Sequence, residues 1–132
     1  MNTSVARSDQ ACLCGSGRTY ARCCQPLHRG EPAPSAEALM RSRYTAYALA
    51  LDDYVLRSWH PRTRPASIEH EPGTRWLGLR VKSAQQSAAD QATVRFEARY
   101  RVGGRPAVRM RETSRFVCEG EHWYYLDGDI HS

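Results

Sequence analysis

Four of the chain's five cysteines fall inside one stretch, Cys12-Leu13-Cys14-Gly15-Ser16-Gly17-Arg18-Thr19-Tyr20-Ala21-Arg22-Cys23-Cys24, giving the spacing C-x-C-x8-C-C. The first 30 residues hold too few aliphatic side chains to bury a core, so this segment needs a staple to fold. Disulfides are a poor one, because bridging adjacent or nearly adjacent cysteines strains the bond. The opening MNTSVARSDQ has no apolar run to serve as a signal-peptide core, so a cytoplasmic, reducing setting is expected. There, clustered thiols act as metal ligands.

Four thiolates around tetrahedral Zn²⁺, at about 2.3 Å, make a closed structural site with no open position for water. Zinc binding worth about 10–16 kcal/mol would fold a segment that burial cannot. Gly15 and Gly17 suit a chain that must reverse between ligands with positive φ, while Leu13 and Tyr20 can form a small apolar cover. Arg18 and Arg22 would offset the net negative charge of the thiolate cluster. Ligation by both Cys23 and Cys24 is sterically demanding, and His28 is the alternative fourth ligand.

The remaining residues read as a separate body, with modules at 1–30 and 31–132. Across 132 residues, 41% hydrophobic and 25% charged residues describe a globular chain, and no run of 18 apolar residues suggests a membrane span. A Pro-rich linker at 30–34 leads to Ser35, a helix N-cap with Glu37 in the first turn. Leu39, Met40, Tyr44, Tyr47, Ala48 and Leu51 then recur at helical spacing over 35–51. Asp52 and Asp53 suggest a stop and a second N-cap, before a short helix ended by Pro61. Residues 61–75 read as a loop.

The period then changes to 2. Leu77, Leu79 and Val81 alternate with Gly78, Arg80 and Lys82, and Ala92, Val94, Phe96, Ala98 and Tyr100 alternate with polar residues. Gly103-Gly104 suggests a two-residue hairpin turn. A third strand is expected over about 106–118, and a fourth around 123–126. Helices followed by an antiparallel meander indicate an α+β domain.

The third strand places Glu112 and Ser114 on the face that should be buried, where a carboxylate requires a partner. Arg41, Arg43 and His60 are the natural candidates. One reading makes His60 and Glu112 an acid/base pair in a cavity, with Tyr125 as hydrogen-bond donor; the other makes them a structural polar cluster. The net charge is +5, and only Lys82 among 19 basic residues is a lysine. Arg95, Arg99, Arg101, Arg109, Arg111 and Arg115 form a strand-face stripe that could meet RNA or could simply be solvated.

The stretch CLCGSGRTYARCC resembles the SEC-C zinc module, first described at the C-terminus of the translocase ATPase SecA. AEALMRSRYTAY, DDYVLRSWHPRTRP, WLGL and RETSRFVCEGEHWYYLDG resemble the YchJ-like family of bacterial proteins, so the likeness runs from residue 11 to about 128. It implies a SEC-C module followed by a nuclear transport factor 2-like (cystatin-like) α+β cone, in which helices lie on a curved antiparallel sheet. It also implies an adaptor or chaperone-like role, with a protein or the ribosome as partner, contacted by Arg18, Arg22 and Arg29 around structural zinc. Where many members carry a second SEC-C module, this chain has Asp127-Gly128-Asp129-Ile130-His131-Ser132, so a role that needs two modules is not expected. A serine at Cys12 or Cys23 is expected to cost metal and local order while the 35–128 body stays folded.

Overall fold

A computed structural model describes residues 8–131. The reading of the first ten residues as lacking a signal-peptide core therefore falls mainly outside the described residues. Gln10, Cys12 and Tyr20 open the described chain by backbone bonding: Cys12 N–H donates to the Arg18 carbonyl and Tyr20 N–H to that of Gln10. Gly15 and Gly17 take φ of 77° and 89°, as a reversal between ligands requires. A single 3-10 turn, Tyr20–Arg22, then feeds a short helix α1, Cys24–His28.

The Ser35 hydroxyl accepts from Ala38 N–H at 3.1 Å and Glu37 occupies the first turn, so α2 (Ala36–Leu49) begins where capping chemistry sets it. It ends on Ala50 in the left-handed region, φ 58°, and not on Asp52. Helix α3 follows at Asp52–Arg57 with Leu51 in the cap position. Neither aspartate caps it, and the Asp52 carboxylate instead meets His70 Nε2 at 2.6 Å.

Four strands, β1 (Thr74–Ala88), β2 (Gln91–Val102), β3 (Val108–Glu119) and β4 (His122–His131), form one antiparallel meander in the order β1-β2-β3-β4. Helices first and sheet afterwards make this the expected α+β fold. Strand β2 alternates as read, with Ala92, Val94, Phe96 and Ala98 buried. Strand β1 departs from simple alternation, because Leu77 is bulged out between the Trp76–Tyr100 and Gly78–Arg99 pairs. Leu77 is therefore exposed, and Trp76 takes an inward position three residues before Leu79. Bulges increase local twist and bend a sheet, and β1 has three register shifts.

The turn chemistry also differs from expectation. Residues 103–107 all separate β2 from β3, and of the two glycines only Gly103 has positive φ. The two-residue turn with positive φ at both positions is Gly120-Glu121, between paired Glu119 and His122. Strand β4 runs past Leu126 because Asp127 and Asp129 both reach Arg115 across the ladder.

Helix α2 packs against β1, β2 and β4, and the segment after α3 clips onto β4: Tyr125 N–H donates to the Ser58 carbonyl, and His60 N–H to the Tyr125 carbonyl. The core is continuous. Cys12, Cys14, Cys23 and Cys24 belong to the same buried cluster as Leu39, Met40, Val55, Phe96 and Phe116. Among the described residues no helix is long and apolar enough to cross a membrane.

Candidate functional site

Two constructions flank α2: a cysteine centre on one side and a cavity on the other. The first gathers Cys12, Cys14, Cys23 and Cys24, all buried, with their four Sγ atoms within 4.8 Å of one another. Cys14 and Cys23 sulfurs are 3.5 Å apart and those of Cys23 and Cys24 3.9 Å. A tetrahedral ion bound by thiolates at about 2.3 Å requires sulfur separations of about 3.8 Å, so the donor set could close on a metal with shifts of about 1 Å or less. Adjacent Cys23 and Cys24 converge because Cys23 sits at φ −122°, ψ −95°, outside both helical and extended conformations, between the 3-10 turn and α1.

The surrounding groups stabilise negative charge on sulfur. Ser16 Oγ lies 3.1 Å from Cys23 Sγ, an Arg18 Nη2 at 3.8 Å also faces it, and Thr45 Oγ1 lies 3.4 Å from Cys24 Sγ. Arg41, read from sequence as a partner of Glu112, instead pairs with Glu37 and donates to the Cys14 carbonyl at 2.9 Å. Arg22 points to solvent. Without a cation the four thiols share protons unevenly: hydrogen bonds from Cys12 and Cys24 hold Cys14 well below the ordinary thiol range, while bonds to Cys12 and Cys14 push Cys24 far up. Leu13 is 45% exposed and so gives the centre no buried apolar cover, whereas Tyr20 is buried.

His28 has no nitrogen free for a metal. Its Nε2 lies 2.9 Å from the Ser42 carbonyl, which can only accept, so Nε2 carries the proton. Nδ1 then accepts from the Tyr20 hydroxyl at 2.6 Å. Burial lowers the His28 pKa, which suits this neutral tautomer. His28 therefore anchors α1 to α2, and Cys24 completes the cluster.

The second construction is a cavity of about 300 Å³ inside the cone. Met40, Arg43, Tyr44 and Tyr47 from α2 line it at i, i+3, i+4 and i+7, against Trp59, Trp76, Met110, Phe116 and Tyr125. Glu112 and Ser114 face it as the β3 alternation requires, with Glu112 Oε2 accepting from Ser114 Oγ at 2.5 Å and from the Tyr125 hydroxyl at 3.3 Å. Burial raises the Tyr125 pKa and the nearby Glu112 carboxylate adds to it, keeping that hydroxyl protonated as a donor.

His60 is not in the cavity, so the His60–Glu112 acid/base pair does not exist. Its Nδ1 accepts from Arg62 N–H and its Nε2 faces Glu119 Oε2 at 2.9 Å, outside the cone. The cause is the clip to β4, which turns residue 59 inward and residue 60 outward. Arg43, buried at 6% exposure, is the basic group the cavity does contain. Of the three partners read for Glu112 from the sequence, Arg43 is the one that reaches the same cavity wall, i+3 from Met40 and i−4 from Tyr47, although it makes no hydrogen bond to Glu112. The arginine stripe is divided: Arg111 pairs with Glu97, and Arg115 with Asp127 and Asp129.

The same two regions are similar to known protein families. A sequence-family model described as YchJ, middle NTF2-like domain, matches residues 35–128, and the SEC-C motif matches residues 10–26. The chain belongs to the YchJ-like family. A UPF0225 protein of Xanthomonas campestris pv. campestris is 56% identical over 118 residues, covering 88% of this chain and 92% of that protein. One from Bordetella parapertussis is 50% identical over 127 residues, covering 93% and 95%. A solution structure of a SEC-C motif containing protein from Rhodopseudomonas palustris superposes with a TM-score of 0.81 at 39% identity, covering 92% of this YchJ-like chain and 98% of that one.

Proposed function

We propose that the protein is a cytoplasmic, zinc-structured interaction protein, an adaptor or chaperone-like factor whose SEC-C module contacts a protein partner or the ribosome. The observation that carries this reading is the buried four-thiol cluster inside the segment matched by the SEC-C motif. Zinc bound there by Cys12, Cys14, Cys23 and Cys24 would be structural, since four protein ligands leave no position for water. The exposed surface around it carries Leu13, Arg18, Arg22 and Arg29, an apolar residue among cations suited to an acidic partner surface.

Metal analysis of the purified chain is expected to give one equivalent of zinc, and a Cys12→Ser variant much less than half. A pull-down with the wild type and with Arg22→Glu/Arg29→Glu, two exposed positions whose side chains do not contact the sulfurs, then tests the interaction once metal analysis shows equal zinc in both. The charge-reversed protein should lose partners that the wild type retains, and equal recovery by both removes the proposed surface. A second reading is favoured by the cavity: the cone is also a small-ligand site, with Glu112 and Tyr125, but not His60, in its wall.

A further inference from the structure

The cavity wall contains hydrogen-bond donors that the protein leaves without acceptors. Arg43 Nη1 donates to the Val55 carbonyl at 3.1 Å and to Ser58 Oγ at 2.7 Å, which uses two of the guanidinium's five N–H groups. Nε and Nη2 meet no acceptor among the described residues, and no carboxylate there lies within ion-pair distance. The guanidinium carbon instead sits 4.3 Å from the Tyr125 ring centroid and 4.9 Å from that of Trp59. Beside it, Trp59 Nε1 is buried with no hydrogen-bond partner. Glu112, the carboxylate in the same cavity wall, acts on Arg43 only at a distance and makes no hydrogen bond to it, and buried donors left without acceptors in a native cavity call for an explanation.

Glu112 is differently placed. Its Oε2 already takes two hydroxyl donors, from Ser114 and Tyr125, and the carboxylate rests against Gly128, where a side chain would collide with it. The unmet demand in this cavity is therefore for an acceptor at Arg43, with Glu112 Oε1 left to take one donor. The other lining groups are aromatic rings and methionines. A planar carboxylate matches the free edge of one guanidinium, whereas a dianionic phosphate would call for more than one cation. A volume of about 300 Å³ admits only a small molecule.

We propose that the cone binds a small carboxylic acid with an aromatic body, its carboxylate held by Arg43 and a donor at its far end meeting Glu112. This assignment rests on the reading of the cone as a small-ligand site. It makes Arg43 the specificity residue and Tyr125 the platform that spaces it from Glu112.

Three probes share one ring system and differ in charge: indole-3-acetate, indole and tryptamine. Each is titrated into the full, zinc-loaded chain while the Trp59 indole N–H is followed by ¹H–¹⁵N correlation NMR. Indole-3-acetate is expected to shift that signal saturably, with an affinity at least tenfold above indole, and tryptamine to bind no better than indole. In Arg43→Lys the tenfold advantage should vanish while indole binding stays. The comparison of probes on wild-type protein stands even where that variant fails to fold. Tightest binding by tryptamine, or equal binding by all three, overturns the carboxylate assignment and leaves the ligand site intact. No shift with any probe overturns both.

Discussion

Gly128 shows how far a single residue can control this site. It sits opposite Ser114 in the β3–β4 ladder, and a Cβ there would strike the Glu112 carboxylate and come within 3.1 Å of the Thr113 carbonyl. Its φ is not positive, so the requirement is for space and not for conformational freedom. Gly128→Ala is therefore expected to destabilise the fold by about 1–3 kcal/mol through overpacking, read by chemical denaturation. The same change in a Glu112→Ala background should cost markedly less, because the main obstacle is gone. Equal costs in the two backgrounds would show that the carboxylate does not occupy that seat. His28 makes the complementary point: its residue type suggested a ligand, but a carbonyl on one nitrogen and a hydroxyl on the other fix it as a strut.

At the scale of elements, α2 does most of the organising. Positions 40, 43, 44 and 47 face the cavity, while Arg41, Ser42 and Thr45 face the cysteine centre and α1. A helix with two demanding faces buries polar groups, and Ser42, Arg43 and Thr45 are all buried here. The Thr45 hydroxyl lies 3.4 Å from Cys24 Sγ, 3.8 Å from Cys12 Sγ and 3.2 Å from the Arg41 carbonyl. Removing it with Thr45→Val keeps the shape and deletes the polar contact. Outer-shell changes of this kind cost about 10–100-fold in metal affinity, which competition with a chromophoric chelator would measure. An affinity equal to wild type would mean that α2 supports the centre by packing alone. The sequence shows where α2 begins and its apolar stripe, because capping and periodicity are local. Its second face was not legible, since the polar residues there resemble a solvated surface until their partners from residues 12–28 are in place.

For the whole molecule, the decisive fact is that one core contains both the cysteines and the aliphatic residues of the body. Expected boundaries at 30 and 31 describe the sequence, but residues 12–28 are tied to α2 and α3 by His28 to Ser42, by Arg41 to the Cys14 carbonyl and by Arg57 to the His28 carbonyl. Stripping the metal with a chelator is accordingly expected to lower the melting temperature of the entire chain in one cooperative transition, followed by circular dichroism and by Trp fluorescence together. Two separate transitions, with the body melting as before, would restore the picture of an independent appendage. The residue order alone carries the four-cysteine motif, the helix-then-meander class and the inward placement of Glu112, because each depends on spacing within a few residues. It does not carry the loss of His60 from the cavity, the turn of Arg41 toward the cysteines, the bulge at Leu77 or the seat at Gly128. Those follow from which distant segments meet: the hydrogen bonds between residues 58–60 and Tyr125 orient two side chains oppositely, and no local pattern encodes a contact across more than sixty residues.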